Sequence, residues 1–96
     1  MDAGKFRTSL ETRIVHYDGV TTPKEMETVV ELFLLDVADM KLPWELKDTP
    51  AEQFLFNAIA LAKTGDASAA PKVRDLLEKI LRYMAAEGIP RDPATQ

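Results

Sequence analysis

The stretch from Thr22 to Met40 constrains the fold most, because it joins a strong helix start to the densest apolar content of the chain. Thr22 suits the N-cap, Pro23 the first helical position and Glu25 the third, as in a capping box. Apolar residues then recur at steps of three and four, which places them on one helical face: Met26, Val29, Val30, Phe33, Val37 and Met40. The pattern predicts a helix over 23–41.

Two leucines of this helix do not fit that face. At roughly 100° per residue, Leu35 points nearly opposite Phe33, and Leu32 also lies off the main stripe. A helix that is apolar on its back as well as its front needs cover on both sides, from its own chain or from another one. The question that these leucines raise is therefore whether another segment of the chain or another polypeptide covers them.

Composition places the chain among soluble globular proteins of one domain, with 46% apolar and 29% charged residues. The net charge of −4 argues against broad binding to nucleic acid or to anionic membranes. Because there is no cysteine, a disulfide framework and a thiolate metal site are excluded. No signal-peptide core is recognisable and charged residues interrupt the apolar runs, so we expect a cytoplasmic protein without a membrane span.

Two more helices are predicted downstream. The tetrapeptide 49–52 repeats the Thr-Pro-x-Glu start and predicts a helix over 50–64, ended by Gly65. Its Phe56 falls off the main apolar face. Ser68 or Asp66 is expected to cap a last helix over 69–87, with Gly88 in a Schellman ending. This helix carries a clean apolar stripe: Val73, Leu76, Leu77, Ile80, Leu81 and Met84.

The N-terminal segment is ambiguous. As a helix it would end at a left-handed Gly19 and align four residues on one face: Phe6, Leu10, Ile14 and Tyr17. As strands, residues 13–22 would form a hairpin with Asp18-Gly19 as its two-residue turn. We favour the helix. The expected fold is an all-α antiparallel bundle of three helices plus this segment, forming a domain over 1–89 with a flexible tail over 90–96.

The connector KLPWELKD carries Trp44, the only tryptophan. Pro43 stops the preceding helix, and one short turn is expected here. We interpret Trp44 as a core residue in preference to an interface residue, since large aromatic side chains are mostly buried.

No catalytic, cofactor-binding or metal site is predicted. His16 is the only histidine and has no cysteine to join it in a zinc site. Glu27 and Glu31 lie one helical turn apart and could share a cation or an acid–base task, but such pairs are more often a solvated face. No nucleophile motif or phosphate-binding glycine loop is present. We therefore expect a protein that is not an enzyme and needs no cofactor.

The last two helices suggest an alternative. A short turn joins them, as in a helix-turn-helix, and the final helix carries basic residues interrupted by Asp75 and Glu78: Lys72, Arg74, Lys79 and Arg82. The stretch ALAKTGDASAAPKVRDLLEKIL resembles helix pairs of tetratricopeptide-like repeats. It is also similar to helical segments of small phage-encoded proteins, including terminase small subunits. The resemblance covers about a quarter of the chain, and any closely packed helical hairpin can share it.

The leading functional hypothesis follows from the surplus of apolar side chains. A chain of this length buries only roughly 60–65% of its unfolded surface, and two of its helices have little polar face. Four residues are candidates for contact with another polypeptide, Trp44 only if the core does not bury it: Leu32, Leu35, Trp44 and Phe56. The partner would be a second copy, giving a homodimer, or a different protein. A small DNA-associated regulator or phage-type packaging protein remains the alternative.

Overall fold

The apolar residues that recur along the sequence form the core of a bundle of helices. A computed structural model describes residues 2–91, and this part of the chain forms four α-helices and no strand. Two short 3₁₀ turns, Trp44–Leu46 and Ala67–Ala69, interrupt the connections. The all-α prediction is thereby confirmed. Residues 92–96 of the expected tail lie outside the described residues. The helices are α1 (Ala3–Asp18), α2 (Pro23–Ala38), α3 (Pro50–Lys63) and α4 (Ala70–Ala86).

The N-terminal segment is a helix as far as Asp18, so the hairpin alternative is wrong. Asp2 caps α1 by accepting a hydrogen bond from the Lys5 N–H at 2.9 Å. One stripe of α1 is buried, because the apolar residues recur every third or fourth position: Ala3, Phe6, Leu10 and Ile14. The ending differs from the expectation, since Gly19 has φ −81° and is not left-handed.

Helix α2 begins as the sequence predicts and ends earlier. Thr22 accepts a hydrogen bond from the Glu25 N–H at 3.2 Å. The expected end at residue 41 is wrong, because the helix stops at Ala38. Its last turn tightens into bonds between residues three apart, such as Met40 N–H to the Val37 carbonyl at 3.1 Å. The chain then runs on toward Pro43.

The two later helices match their predicted bounds to within a residue. Thr49 stands at the N-cap of α3 but makes no side-chain capping bond. Asp66 caps the 3₁₀ turn before α4 by accepting from Ser68, so Ser68 is not the cap of α4. The Schellman ending of α4 is confirmed. Gly88 has φ +73°, and Ile89 donates to the Met84 carbonyl at 2.9 Å.

Contacts between helices show that neighbours run antiparallel. Arg74 at the start of α4 pairs with Asp18 at the end of α1, at 2.8 Å. At the other end, Arg7 of α1 donates a hydrogen bond to the Ile89 carbonyl beyond α4. Between α1 and α2, the rings of Tyr17 and Phe33 lie 4.8 Å apart. The predicted bundle is therefore present, with α1 contacting both α2 and α4.

The expectation that Trp44 belongs to the core is wrong. Leu46 is buried instead, and Trp44 is exposed. The reason is the 3₁₀ turn that contains both residues. With three residues per turn, side chains two positions apart point in different directions, so the burial of Leu46 sends Trp44 outward.

Candidate functional site

All four residues predicted to contact a partner are exposed. The exposed fractions are 58% for Leu32, 60% for Leu35, 81% for Trp44 and 51% for Phe56. One copy of the chain therefore does not enclose them. Val15 is exposed to 71% as well, and the sequence reasoning missed it as a surface residue. Its position opposite the buried stripe of α1 is the signal that could have identified it.

Leu32 and Leu35 form a continuous ridge on the outer side of α2, because residues three apart are neighbours on a helix. Thr28 and Asp39 share this side and are exposed too. The opposite side of α2 is buried, through Val30, Phe33, Leu34 and Val37. We call the Leu32–Leu35 pair the α2 ridge.

A groove runs along the ridge on the side of α1. Its volume is about 240 Å³, and Leu32 and Val29 of α2 line it together with His16 and Tyr17 of α1. Arg13 and Asp36 close one part of it with a salt bridge at 3.1 Å. This groove offers apolar walls beside the exposed Leu32.

A second groove lies on the other side of the ridge, between α2 and the end of α3. Its volume is about 360 Å³. Leu35 lines it opposite Ala62 and Gly65, and Glu27 and Glu31 stand at its edge. Because Ala62 and Gly65 are small, the groove leaves room for a side chain from another molecule. The ridge is thus flanked by a groove on each side.

The helix that carries the ridge has an excess of negative charge. Residues 23–39 hold one cation, Lys24, against five carboxylates: Glu25, Glu27, Glu31, Asp36 and Asp39. This excess of four negative charges equals the net charge of all 96 residues, so cations and carboxylates balance over the rest of the chain. Asp36 is paired with Arg13. The other four carboxylates form no salt bridge with any residue between 2 and 91.

The structure separates the remaining two predicted contact residues from the ridge. Phe56 is exposed on α3, the helix that packs beside α2. Trp44 lies in the 3₁₀ turn at the end of the bundle, where the neighbouring Glu45 accepts a hydrogen bond from the Ala3 N–H at 2.7 Å. Neither Phe56 nor Trp44 lines a groove beside the ridge, and the ridge is the only pair among the four residues that occupies adjacent positions of one element.

The residues weighed for metal or acid–base chemistry are not assembled into a site. His16 lines the groove toward α1, while Glu27 and Glu31 line the groove toward α3. The ridge separates the two sets. Among residues 2–91 there is no group of three or more side chains that could hold a metal ion.

Three of the four basic residues of α4 have partners within the described part of the chain, and Lys72 is the exception. Arg74 bonds to Asp18 and to Glu78, and the hydrogen bond to Asp18 raises the pKa of its guanidinium. Arg82 bonds to Glu78 at 2.7 Å. Burial opposes ionisation of Glu78, yet the hydrogen bonds from both arginines outweigh it and lower the pKa of Glu78. Lys79 lies over the ring of Phe54 at 5.8 Å.

No helix in the described part of the chain is both long and apolar enough to cross a membrane. Comparison of the chain with protein-family models, with curated proteins and with solved structures finds no match. The surface of the fold, above all the α2 ridge, is therefore the basis for proposing a function.

Proposed function

We propose that this protein is a non-enzymatic protein-interaction module that binds through the α2 ridge. The observation that carries the proposal is the exposure of Leu32 and Leu35 side by side on a helix whose other side fills the core. Full burial of a leucine side chain stabilises a protein or a complex by roughly 1.5–3 kcal/mol. Most of that free energy is still available at the ridge.

The surroundings of the ridge support the proposal. Apolar anchors with a polar rim are typical of protein-binding sites, and here carboxylates surround two leucines. The grooves on both sides provide room for side chains of a partner. Three of the four cations of α4, by contrast, are engaged within the bundle, which favours a protein partner over DNA as the ligand.

The proposal can be tested by light scattering coupled to size exclusion, together with binding of a hydrophobic dye. Wild type is compared with a Leu32→Glu, Leu35→Glu double variant and with Val15→Glu, a matched change at an exposed apolar residue of α1. We expect wild type and the α1 variant to self-associate or bind dye. The double variant should be a monomer, keep its helical circular dichroism signal and lose dye binding.

Two results would contradict the proposal. A wild-type protein that stays monomeric at high micromolar concentration and binds neither dye nor a helical peptide would show that the ridge does not bind other polypeptides. A double variant that loses its helical signal would show that Leu32 and Leu35 stabilise the fold itself, and that they are not free for a partner.

A further inference from the structure

The location of the net charge narrows the choice of partner for the α2 ridge. Outside residues 23–39, basic and acidic residues balance, so the acidic character of the chain resides in α2 and in Asp39, which follows it. On the other helices carboxylates are often paired, as in Arg7–Glu11 and Arg74–Glu78. Around the ridge, Glu27, Glu31 and Asp39 form no salt bridge within the described range 2–91. The adjacent leucines therefore lie on the helix that has the largest excess of carboxylates among the four.

We infer that the α2 ridge binds a basic amphipathic helix of another protein. This inference rests on the proposed function and specifies its partner. Leucines at positions 32 and 35 would contact the apolar stripe of the partner helix, as in other complexes of a helix in a groove. Lysines and arginines beside that stripe would face the unpaired carboxylates, and complementary charge both accelerates association and selects the partner.

A second copy of the chain fits this surface less well. A two-fold dimer through the ridge brings the same patch of both copies together. The unpaired carboxylates around Leu32 and Leu35 would then face those of the other copy, and like charges across an interface oppose association. Lys24 is the only cation that α2 could contribute to offset them.

The length of the surface sets the size of the partner. Thr28 to Asp39 spans roughly 17 Å, or about three helical turns. A helix of about 12 residues with apolar side chains at i, i+3 or i+4, and i+7 covers this distance. Its apolar side chains can enter the grooves beside Val29 and Ala62, which flank the ridge.

The test uses a defined peptide as the probe: a helical peptide with leucines on one face and lysines elsewhere. Two control peptides replace lysine by glutamate or scramble the order of the same residues. Affinity is measured by fluorescence anisotropy at low and high salt, and the binding site is mapped by backbone amide shifts in NMR. We expect the basic peptide to perturb the amides around Leu32 and Leu35. The glutamate and scrambled peptides should bind at least about tenfold more weakly.

Variants separate the apolar contribution from the charge contribution. Leu32→Gln with Leu35→Gln, which leaves the charge unchanged, should weaken binding by about tenfold or more. Glu27→Gln, Glu31→Gln and Asp39→Asn together should weaken it several-fold and flatten its dependence on salt, because screening acts on exposed charges. Val15→Gln is the matched control and should bind like wild type.

The outcomes distinguish this inference from the proposed function. If the peptide fails to bind but wild type self-associates through Leu32 and Leu35, the inference is wrong and the occupant is a second copy. Perturbation of amides along the groove between α3 and α4, which Ala60, Leu61 and Leu76 line, would also overturn it, as would equal binding of the glutamate peptide. If the protein neither binds the peptide nor self-associates nor binds dye, both the inference and the proposed function fail.

Discussion

Trp44 and Leu46 show how a single local conformation decides which of two apolar residues enters the core. Both stand in the same 3₁₀ turn, two positions apart, and only Leu46 is buried. Pro43 before them is buried as well. The residue with the larger apolar surface is thus left in water, where its contribution to the stability of one copy is small.

This arrangement predicts unequal effects on stability when the two side chains are truncated. Leu46→Ala should destabilise the protein by about 2–5 kcal/mol, because it opens a cavity in a packed core. Trp44→Ala should change the free energy of unfolding by less than about 0.5 kcal/mol, since surface substitutions rarely do more. Urea denaturation followed by circular dichroism measures both. Comparable losses for the two variants would contradict the placement of Trp44.

Helices α2 and α4 differ in the residues that they carry on their outer sides. Each buries one apolar stripe, but α4 covers its outer side with charges that pair with one another, such as Glu78 with Arg82. The outer side of α2 carries leucines and unpaired carboxylates instead. Helix α4 is thereby complete within one copy, whereas α2 keeps a surface that a partner can cover.

The pairing on α4 predicts a dependence of stability on pH. The arginines lower the pKa of Glu78 below its ordinary value of 4.5. A carboxyl group with a lowered pKa in the folded state stabilises that state above its unfolded pKa, and the effect is lost as pH falls through the folded pKa. Wild type should therefore melt at a higher temperature than Glu78→Gln at pH 7, and the difference should shrink below pH 4.5.

Thermal melts between pH 7 and pH 3 measure this difference. Glu87→Gln is the matched control, because Glu87 is exposed and forms no salt bridge with residues 2–91. It should follow wild type at every pH. A difference between wild type and Glu78→Gln that stays constant with pH would show that the Glu78 charge is not what stabilises α4.

Across the whole molecule, small residues of α3 allow the helices to approach closely. Ala51, Ala58 and Ala62 are buried on the side of α3 that faces the core. Alanine keeps the neighbouring backbones near one another, so α3 contacts both α2 and α4. Space in this interior is consequently limited, and an added side chain there must displace its neighbours.

Ala58→Leu should therefore destabilise the bundle by about 1–3 kcal/mol, the range found for overpacked cores. Ala60→Leu places the same side chain two residues away on the exposed side of α3 and should be nearly neutral. Chemical denaturation of the two variants gives the comparison. An Ala58→Leu protein as stable as wild type would show that the helices are less closely packed than the structure indicates.

Local features of this fold could be predicted from the sequence alone. The Thr22 cap, the apolar stripe of α4 and its ending at Gly88 each depend on side chains and backbone within a few positions. Periodicity also identified Leu32 and Leu35 as residues that do not belong to the main face of α2. These are the parts of the structure and of the candidate site that short-range physics decides.

Other features depended on how the helices are placed around one another. Periodicity cannot tell whether Leu35 is covered, because that depends on which side of α2 its neighbours occupy. The bundle puts α1 and α3 on either side and leaves the back of α2 open. Charge pairing likewise depends on contacts between distant parts of the chain, such as that of Arg74 with Asp18, 56 positions apart. Long-range packing decides burial and charge pairing, and for that reason tertiary structure was needed to locate the binding face.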